Sequence, residues 1–374
     1  MPSHDKNRFQ LRMVAWEVTR SCNLACVHCR ASARNEPYAG ELSTEECFEL
    51  LDEISRLGRP VIILTGGEPL LRDDIFDIAE YGTSKGFRMV MAPNGTLVDA
   101  RTAERLKKVG ILRISLSLDG ATAAAHDSFR QVEGAFDAVL SAARTACEVG
   151  LEFQINSTVT SKNIADIPAI MNLAIEMGAS AFHAFMLVPT GRARDLEDQM
   201  IGPDECEKFL RWLHGQVGTQ PISIKATCAP HFYRIARQAR REVKTDDGSR
   251  ADGLDTTTRG CLAGVAFCFI SHVGDVFPCG YLELNCGNVR GKSLGDIWAG
   301  AEPFVTLRDF KNYRGKCGRC EFVALCGGCR ARAYTVTGDY LGDEPLCSYK
   351  TERSTDEQQA RDGETLSLRT QATR

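Results

Sequence analysis

The chain has 374 residues, 43% of them hydrophobic and 25% charged, with a formal net charge of −4. That balance suits a globular protein with one large domain and a smaller one, and it offers no basic surface for nucleic acid or an anionic membrane. No apolar run approaches the roughly 18 residues of a membrane span, and the start, MPSHDKNRFQLRM, has no apolar signal core, so a cytoplasmic protein is expected. Sixteen cysteines in such a chain argue for metal or cluster ligation over disulfides.

After an N-terminal segment, 1–12, the chain alternates apolar runs with amphipathic stretches from Met13 to about Val188. The apolar runs VAWEV, VIILT, RMVMA, LRISLSL, EFQINSTV and AFHAFMLV read as strands, with helical patterns near 43–57, 72–85, 99–109, 134–149 and 163–177 between them. Each strand–helix–strand step suits a right-handed crossover, hence a parallel sheet. Six units are too few for a closed eight-stranded barrel, which leaves a partial barrel or an open doubly wound sheet. A helix around Asp204 to Val217 closes this part, and 13–224 is expected to form one domain.

Cys22, Cys26 and Cys29 sit just after the first strand, in SCNLACVHC. This C-x3-C-x2-C spacing gives an iron–sulfur cubane three thiolates and leaves one iron without a protein ligand, free to bind and activate a small molecule. Gly66, Gly67, Glu68 and Pro69 follow the second strand, where a Gly-Gly turn lets backbone come close to a ligand. Asn94 follows the third strand, Ser117 and Asp119 share one side of the fourth, and Arg130 lies in HDSFR beyond it. All of these belong at the carboxyl ends of strands, where such folds carry their chemistry.

From Lys225 the composition changes to Gly- and Cys-rich segments with little periodicity, giving a second unit over 225–350. Cys317, Cys320, Cys326 and Cys329 form C-x2-C-x5-C-x2-C, Cys347 follows, and Cys261 and Cys279 bracket Gly274 upstream. Structural zinc or iron–sulfur clusters would both suit paired C-x2-C knuckles. Cys47, Cys147 and Cys206 fall on helical patterns and read as ordinary thiols. The tail 351–374 is polar and reads as disordered.

The three-cysteine loop followed by GGEP resembles the signature of radical S-adenosylmethionine (SAM) enzymes, and the later array resembles a SPASM domain. The resemblance implies an α/β fold: a partial (β/α)6 TIM-like barrel of radical SAM type followed by a small Cys-rich SPASM domain. It implies SAM bound at the open iron of a 4Fe–4S cluster held by Cys22, Cys26 and Cys29, and cleavage to a 5′-deoxyadenosyl radical on reduction. GGEP, Asn94, Ser117, Asp119 and Arg130 would bind SAM, the last through its carboxylate. One or two auxiliary 4Fe–4S clusters are implied. Cys317, Cys320, Cys326 and Cys347 would hold one; Cys261, Cys279, Cys329 and Cys268 would hold the other, with Cys228 and Cys286 as rivals to Cys268.

The chain as a whole resembles the haem-biosynthesis branch of this superfamily, through KATCAPHFYR (225–234) and CLAGVAFCFISHVGDVFPCGYL (261–282). That implies an oxygen-sensitive enzyme removing carbon dioxide from two propionates of iron-coproporphyrin III to give haem b, with a flavodoxin or ferredoxin as electron donor. Didecarboxysirohaem, a haem d1 precursor or a peptide are the alternative substrates. A metalloporphyrin needs an apolar slot and cations for its carboxylates. His231 is a candidate iron ligand and Tyr233 and Arg234 candidate substrate contacts, with Arg234, Arg237 and Arg241 on one face of a possible helix. A solvated basic helix with an incidental histidine is the plainer alternative.

Overall fold

The computed structural model describes residues 9–242 and 259–351. The expectation of a disordered tail falls outside the described residues, as does most of the N-terminal segment.

Six strands follow one another in space as they do in sequence: β1 (Met13–Thr19), β2 (Val61–Gly66), β3 (Arg88–Met91), β4 (Ile111–Ser117), β5 (Glu152–Val159) and β6 (Ala181–Met186), every neighbouring pair parallel. Helices Thr44–Leu57, Ile75–Ser84, Ala100–Lys108, Ala135–Val149 and Ile167–Glu176 make the crossovers. The first of these starts on a capping box in which Ser43 accepts from the Glu46 N–H and Glu46 accepts from the Ser43 N–H.

The sheet extends beyond the six expected strands. On one edge β7 (Ser223–Thr227) pairs parallel with β6; on the other β8 (Phe267–Ile270) pairs parallel with β1, and β9 (Val276–Phe277) antiparallel with β8. The sheet therefore crosses the expected boundary at 224/225, and a strand of the Cys-rich region completes the barrel wall. The short FCFI run passes for loop in the sequence because its partner, β1, lies some 250 residues upstream. An additional helix, Ala123–Arg130, was hidden in ATAAAHDSFR, which carries almost no apolar stripe.

Side chains alternate across the strands, as the period of two requires. Val14, Trp16, Ile62, Leu64, Met89, Met91, Ile114 and Leu116 are buried on the outer face against helix residues such as Leu51, Ile54 and Ile78. The inner face is half-open and polar, with Ser117, Asn156, His183 and Lys225 aligned across β4 to β7. Helices shield one face of the sheet and leave the other as a lumen.

Candidate functional site

The cysteine loop leaves β1 at the carboxyl mouth and is anchored on several sides. Gly67 N–H donates to the Thr19 carbonyl at 2.9 Å and Glu68 N–H to that of Ser21 at 2.8 Å. A Cβ on Gly67 would stand 2.2 Å from the Ser21 oxygen, so the glycine pair is needed to press the second strand's end against this loop. Glu68 is buried; its carboxylate accepts from the N–H groups of Leu70 and Asn94 at 3.0 and 2.6 Å, and burial pushes its pKa up to about 7 against those two bonds. Asn94 in turn donates to Asn23 Oδ1 at 2.7 Å, between Cys22 and Leu24. GGEP and Asn94 thus meet the cysteine loop.

Arg130 reaches the same loop from the helix Ala123–Arg130. Its Nη1 lies 3.6 Å from Cys26 Sγ, its Nη2 is paired with Asp119, and its Nε is buried without a protein partner. Asp119 departs from expectation. Its other oxygen accepts the Thr158 N–H at 2.6 Å, so its carboxylate is committed to holding Arg130 and β5 and does not reach out as a ribose contact. Ser117 remains on the lumen face, level with Asn156 and His183.

A clasp from further along the chain was not legible in the sequence. Arg192 donates from Nε to the Cys26 carbonyl at 2.8 Å and from Nη1 to Ala33 at 2.7 Å, and its backbone N–H bonds the Cys29 carbonyl. Gly191, at φ +57°, leaves no room for a Cβ, which would fall 2.2 Å from the Arg30 carbonyl. On the opposite side Arg30 and His272 converge on buried Glu17 at 2.6 and 2.8 Å, and Arg30 also touches the Gly280 carbonyl at 3.4 Å. Burial pushes the Glu17 carboxyl up, but Arg30, His272 and Arg20 outweigh it and hold it at about 2. This charge cluster joins the N-terminal cysteine loop to the segment carrying Cys279.

In the lumen, Arg113 donates to Gln154 Oε1 at 3.3 Å, and Gln154 Nε2 lies 2.9 Å from Asn156 Oδ1 and 3.1 Å from His183 Nδ1. The Gln154 orientation makes His183 Nδ1 an acceptor, which leaves its Nε2 as an N–H donor. Burial lowers the His183 pKa to about 3, so the ring is neutral. Its only sequence signal was a histidine at an alternate position of an apolar strand.

The C-terminal cysteines form two groups. Cys317, Cys320, Cys326 and Cys347 line one cavity, together with His231, Arg234 and Lys316. Cys228, Cys261, Cys279 and Cys329 form the second: Cys228 and Cys329 are hydrogen-bonded, burial and then Cys329 raise the Cys261 thiol, and Cys279, raised chiefly by burial, also feels Cys329 and Cys261. Cys228, and not Cys268, therefore lies with Cys261, Cys279 and Cys329. Cys268 lies on β8 opposite Val14, wholly buried in the main core, and its electrostatic neighbours are Cys286 and Arg308. The alternation of β8 turns it to the helix-covered face, away from Cys261, Cys279 and Cys329.

His231 is not where an iron-porphyrin ligand would have to be. It is fully buried, its Nε2 is 3.1 Å from Cys206 Sγ, and burial drives its pKa down to about 4. Arg234 is also buried, paired with Glu207 and with its guanidinium 4.7 Å from the Tyr349 ring centre. Tyr233, half-buried, packs edge-on against Phe232. The helix His231–Glu242 turns its first residues inward, so only Arg237 and Arg241 are exposed as a basic helix would have them.

The N-terminal loop and the Cys317 group fit anionic clusters. N–H donors meet their sulfurs, Arg130 at Cys26, and Arg330 and the Glu344 N–H at Cys317, at 3.6, 3.6 and 3.4 Å. Buried nitrogens without protein partners, Arg130 Nε, His231 Nδ1 and Arg234 Nε, belong to residues beside these sulfurs. The described residues contain no helix long and apolar enough to cross a membrane.

Residues 16–174 match the radical SAM superfamily and residues 261–321 match an iron–sulfur cluster-binding domain, SPASM. The chain is 51% identical over 344 residues to the AdoMet-dependent heme synthase of Nitratidesulfovibrio vulgaris, covering 92% of this chain and 94% of that one. It is 31% identical to the Fe-coproporphyrin III synthase of Methanosarcina barkeri, covering 93% and 90%. Streptococcus suis SuiB bound to S-adenosylmethionine superposes with a TM-score of 0.71 at 18% identity, covering 91% of this chain and 78% of that one, a likeness of fold.

Proposed function

We propose that this chain, which belongs to the haem-biosynthesis branch of the radical SAM/SPASM enzymes, converts two propionates of iron-coproporphyrin III to vinyl groups and so makes haem b. It is an enzyme of radical SAM type, and its cofactors are SAM, a 4Fe–4S cluster and auxiliary iron–sulfur clusters. What carries the reading is the 51% identity, sustained over 92% of the chain, with an AdoMet-dependent heme synthase.

Cys22, Cys26 and Cys29 would hold the SAM-binding cluster, with GGEP, Asn94, Ser117 and Arg130 around SAM. Bound there, SAM supplies a radical able to take hydrogen from a propionate β-carbon. Asp119 keeps Arg130 extended toward Cys26. Arg192, Gly191 and Gly67 keep the loop in one geometry, which matters because misplacing a reacting atom by about 1 Å can cost two orders of magnitude in rate. The half-open inner face offers Ser117, Asn156 and the His183 N–H as donors, with Lys225 as a cation for a substrate carboxylate.

Loss of carbon dioxide from a propionate that has given up one β-hydrogen leaves a vinyl group and one surplus electron. The cysteine quartets 228/261/279/329 and 317/320/326/347 would hold the auxiliary clusters that accept it. A flavodoxin or ferredoxin would reduce the first cluster. In this reading the radical SAM unit runs from Met13 through the end of β7 at Thr227, and the Cys-rich segment after it, to about 350, forms the SPASM unit while lending β8 to the same sheet.

The test is anaerobic turnover of reconstituted protein with SAM, a reductant and iron-coproporphyrin III, followed by mass spectrometry. Stepwise loss of carbon dioxide and two hydrogens from each of two propionates supports the reading. SAM cleavage with that porphyrin unchanged would overturn it, and turnover of didecarboxysirohaem would replace it with acetate removal. Cys26→Ala should abolish SAM cleavage while leaving porphyrin binding intact.

A further inference from the structure

We infer that His231 is a hydrogen-bond donor to the auxiliary cluster held by Cys317, Cys320, Cys326 and Cys347, and that it raises the reduction potential of that cluster. The inference rests on the assignment of those four cysteines to one cluster. Three observations carry it. His231 lines the cavity that the four cysteines share, and none of its surface is exposed to solvent. Its Nε2 is engaged by Cys206 Sγ at 3.1 Å. Its Nδ1 is buried and has no protein partner.

The tautomer follows from the pair. An imidazole nitrogen is a far better acceptor than a thiol sulfur, so the Cys206 S–H donates to Nε2 and the ring proton resides on Nδ1. A buried N–H left without an acceptor costs about 1–3 kcal/mol. An iron–sulfur cluster supplies acceptors, its sulfides and cysteine sulfurs, in the same cavity. Arg234 repeats the pattern: it lines the cavity, both its terminal nitrogens are taken by Glu207 and Gln238, and its Nε alone is unpartnered.

Reduction adds negative charge to a cluster, so an N–H donor stabilises the reduced form and raises the potential. Cys206 acts at one remove, since it fixes which nitrogen carries the proton. Among the described residues no such histidine stands at the second cysteine group: Arg332 and Glu344, which lie beside Cys228 and Cys329, are paired with each other. The His231 donor is thus specific to one of the two clusters.

The experiment is a potentiometric titration of the anaerobically reconstituted protein, followed by electron paramagnetic resonance. His231→Leu should shift the reduced-to-oxidised ratio of one cluster about tenfold toward oxidised at fixed poise, about 59 mV for one electron. His231→Asn, whose side-chain N–H stands where Nδ1 stands, should restore the wild-type midpoint. An unchanged midpoint in His231→Leu with full iron content would overturn the inference. Should that variant fail to assemble, wild type labelled with 15N-histidine decides. A weak histidine nitrogen coupling on the reduced cluster is expected, and its absence would sink the idea. If Cys326→Ala keeps all its iron, the cluster assignment itself is wrong.

Discussion

Arg332 and Glu344 form an ion pair of 2.8 Å with both side chains closed to solvent. Arg332 also donates to the carbonyls of Cys228 and Leu187, at 2.6 and 3.1 Å, and Glu344 accepts the Cys329 N–H while its own N–H reaches Cys317 Sγ at 3.4 Å. One pair of residues therefore touches both C-terminal cysteine groups and the carboxyl end of β6. Arg332→Leu would leave Glu344 charged, buried and unpaired. We expect about 3–5 kcal/mol of lost stability, read by chemical denaturation, with a smaller loss in Glu344→Gln.

The exchange of Cys268 for Cys228 has a direct chemical readout. Cys228→Ala should lower iron content by up to about four atoms per chain after anaerobic reconstitution, whereas Cys268→Ala should keep its iron. Equal iron in both variants would put the fourth ligand elsewhere.

Gly67 tests how closely the second strand's turn must press on the cysteine loop. Gly67→Ala places a methyl 2.2 Å from the Ser21 oxygen, and backbone on both sides has to move. Formation of 5′-deoxyadenosine should fall by about a hundredfold or more. Gly202→Ala, where a Cβ meets nothing within 4 Å, should leave the rate unchanged.

His126 predicts an acid-side loss of stability. Its Nδ1 accepts the Asp119 N–H at 3.1 Å, and burial, with Arg130 adding to it against Asp119, lowers its pKa from 6.5 to about 4. The unfolded chain takes up this proton near pH 6.5 and the native chain only near 4. The stabilisation is complete above the higher value and is lost as pH falls toward the lower one. Urea unfolding at about pH 7.5 and pH 5 should show wild type losing roughly 2 kcal/mol more than His126→Gln between the two.

Features that repeat or are spaced locally could be read from the amino acids alone. Alternating apolar runs and amphipathic helices specify a parallel sheet with crossovers, because side-chain direction follows backbone period. C-x3-C-x2-C and GGEP specify a loop and a turn, because each draws its geometry from neighbours a few residues away. Spacing alone grouped Cys317, Cys320 and Cys326 with Cys329; the exchange of Cys329 for Cys347 was implied by the family resemblance, and those four do line one cavity. The tertiary structure decided everything that depends on which face of a distant element meets which other. Cys268 and Cys228 are equivalent as sequence; the pairing of β8 with β1 turns the first into the core, and the end of β7 brings the second to Cys329. His231 looked open to a ligand until the helix it begins turned it onto Cys206, and Asp119 looked free until Arg130 and Thr158 claimed its two oxygens. A buried polar group is defined by its partners, and those partners come from elements far away in the chain.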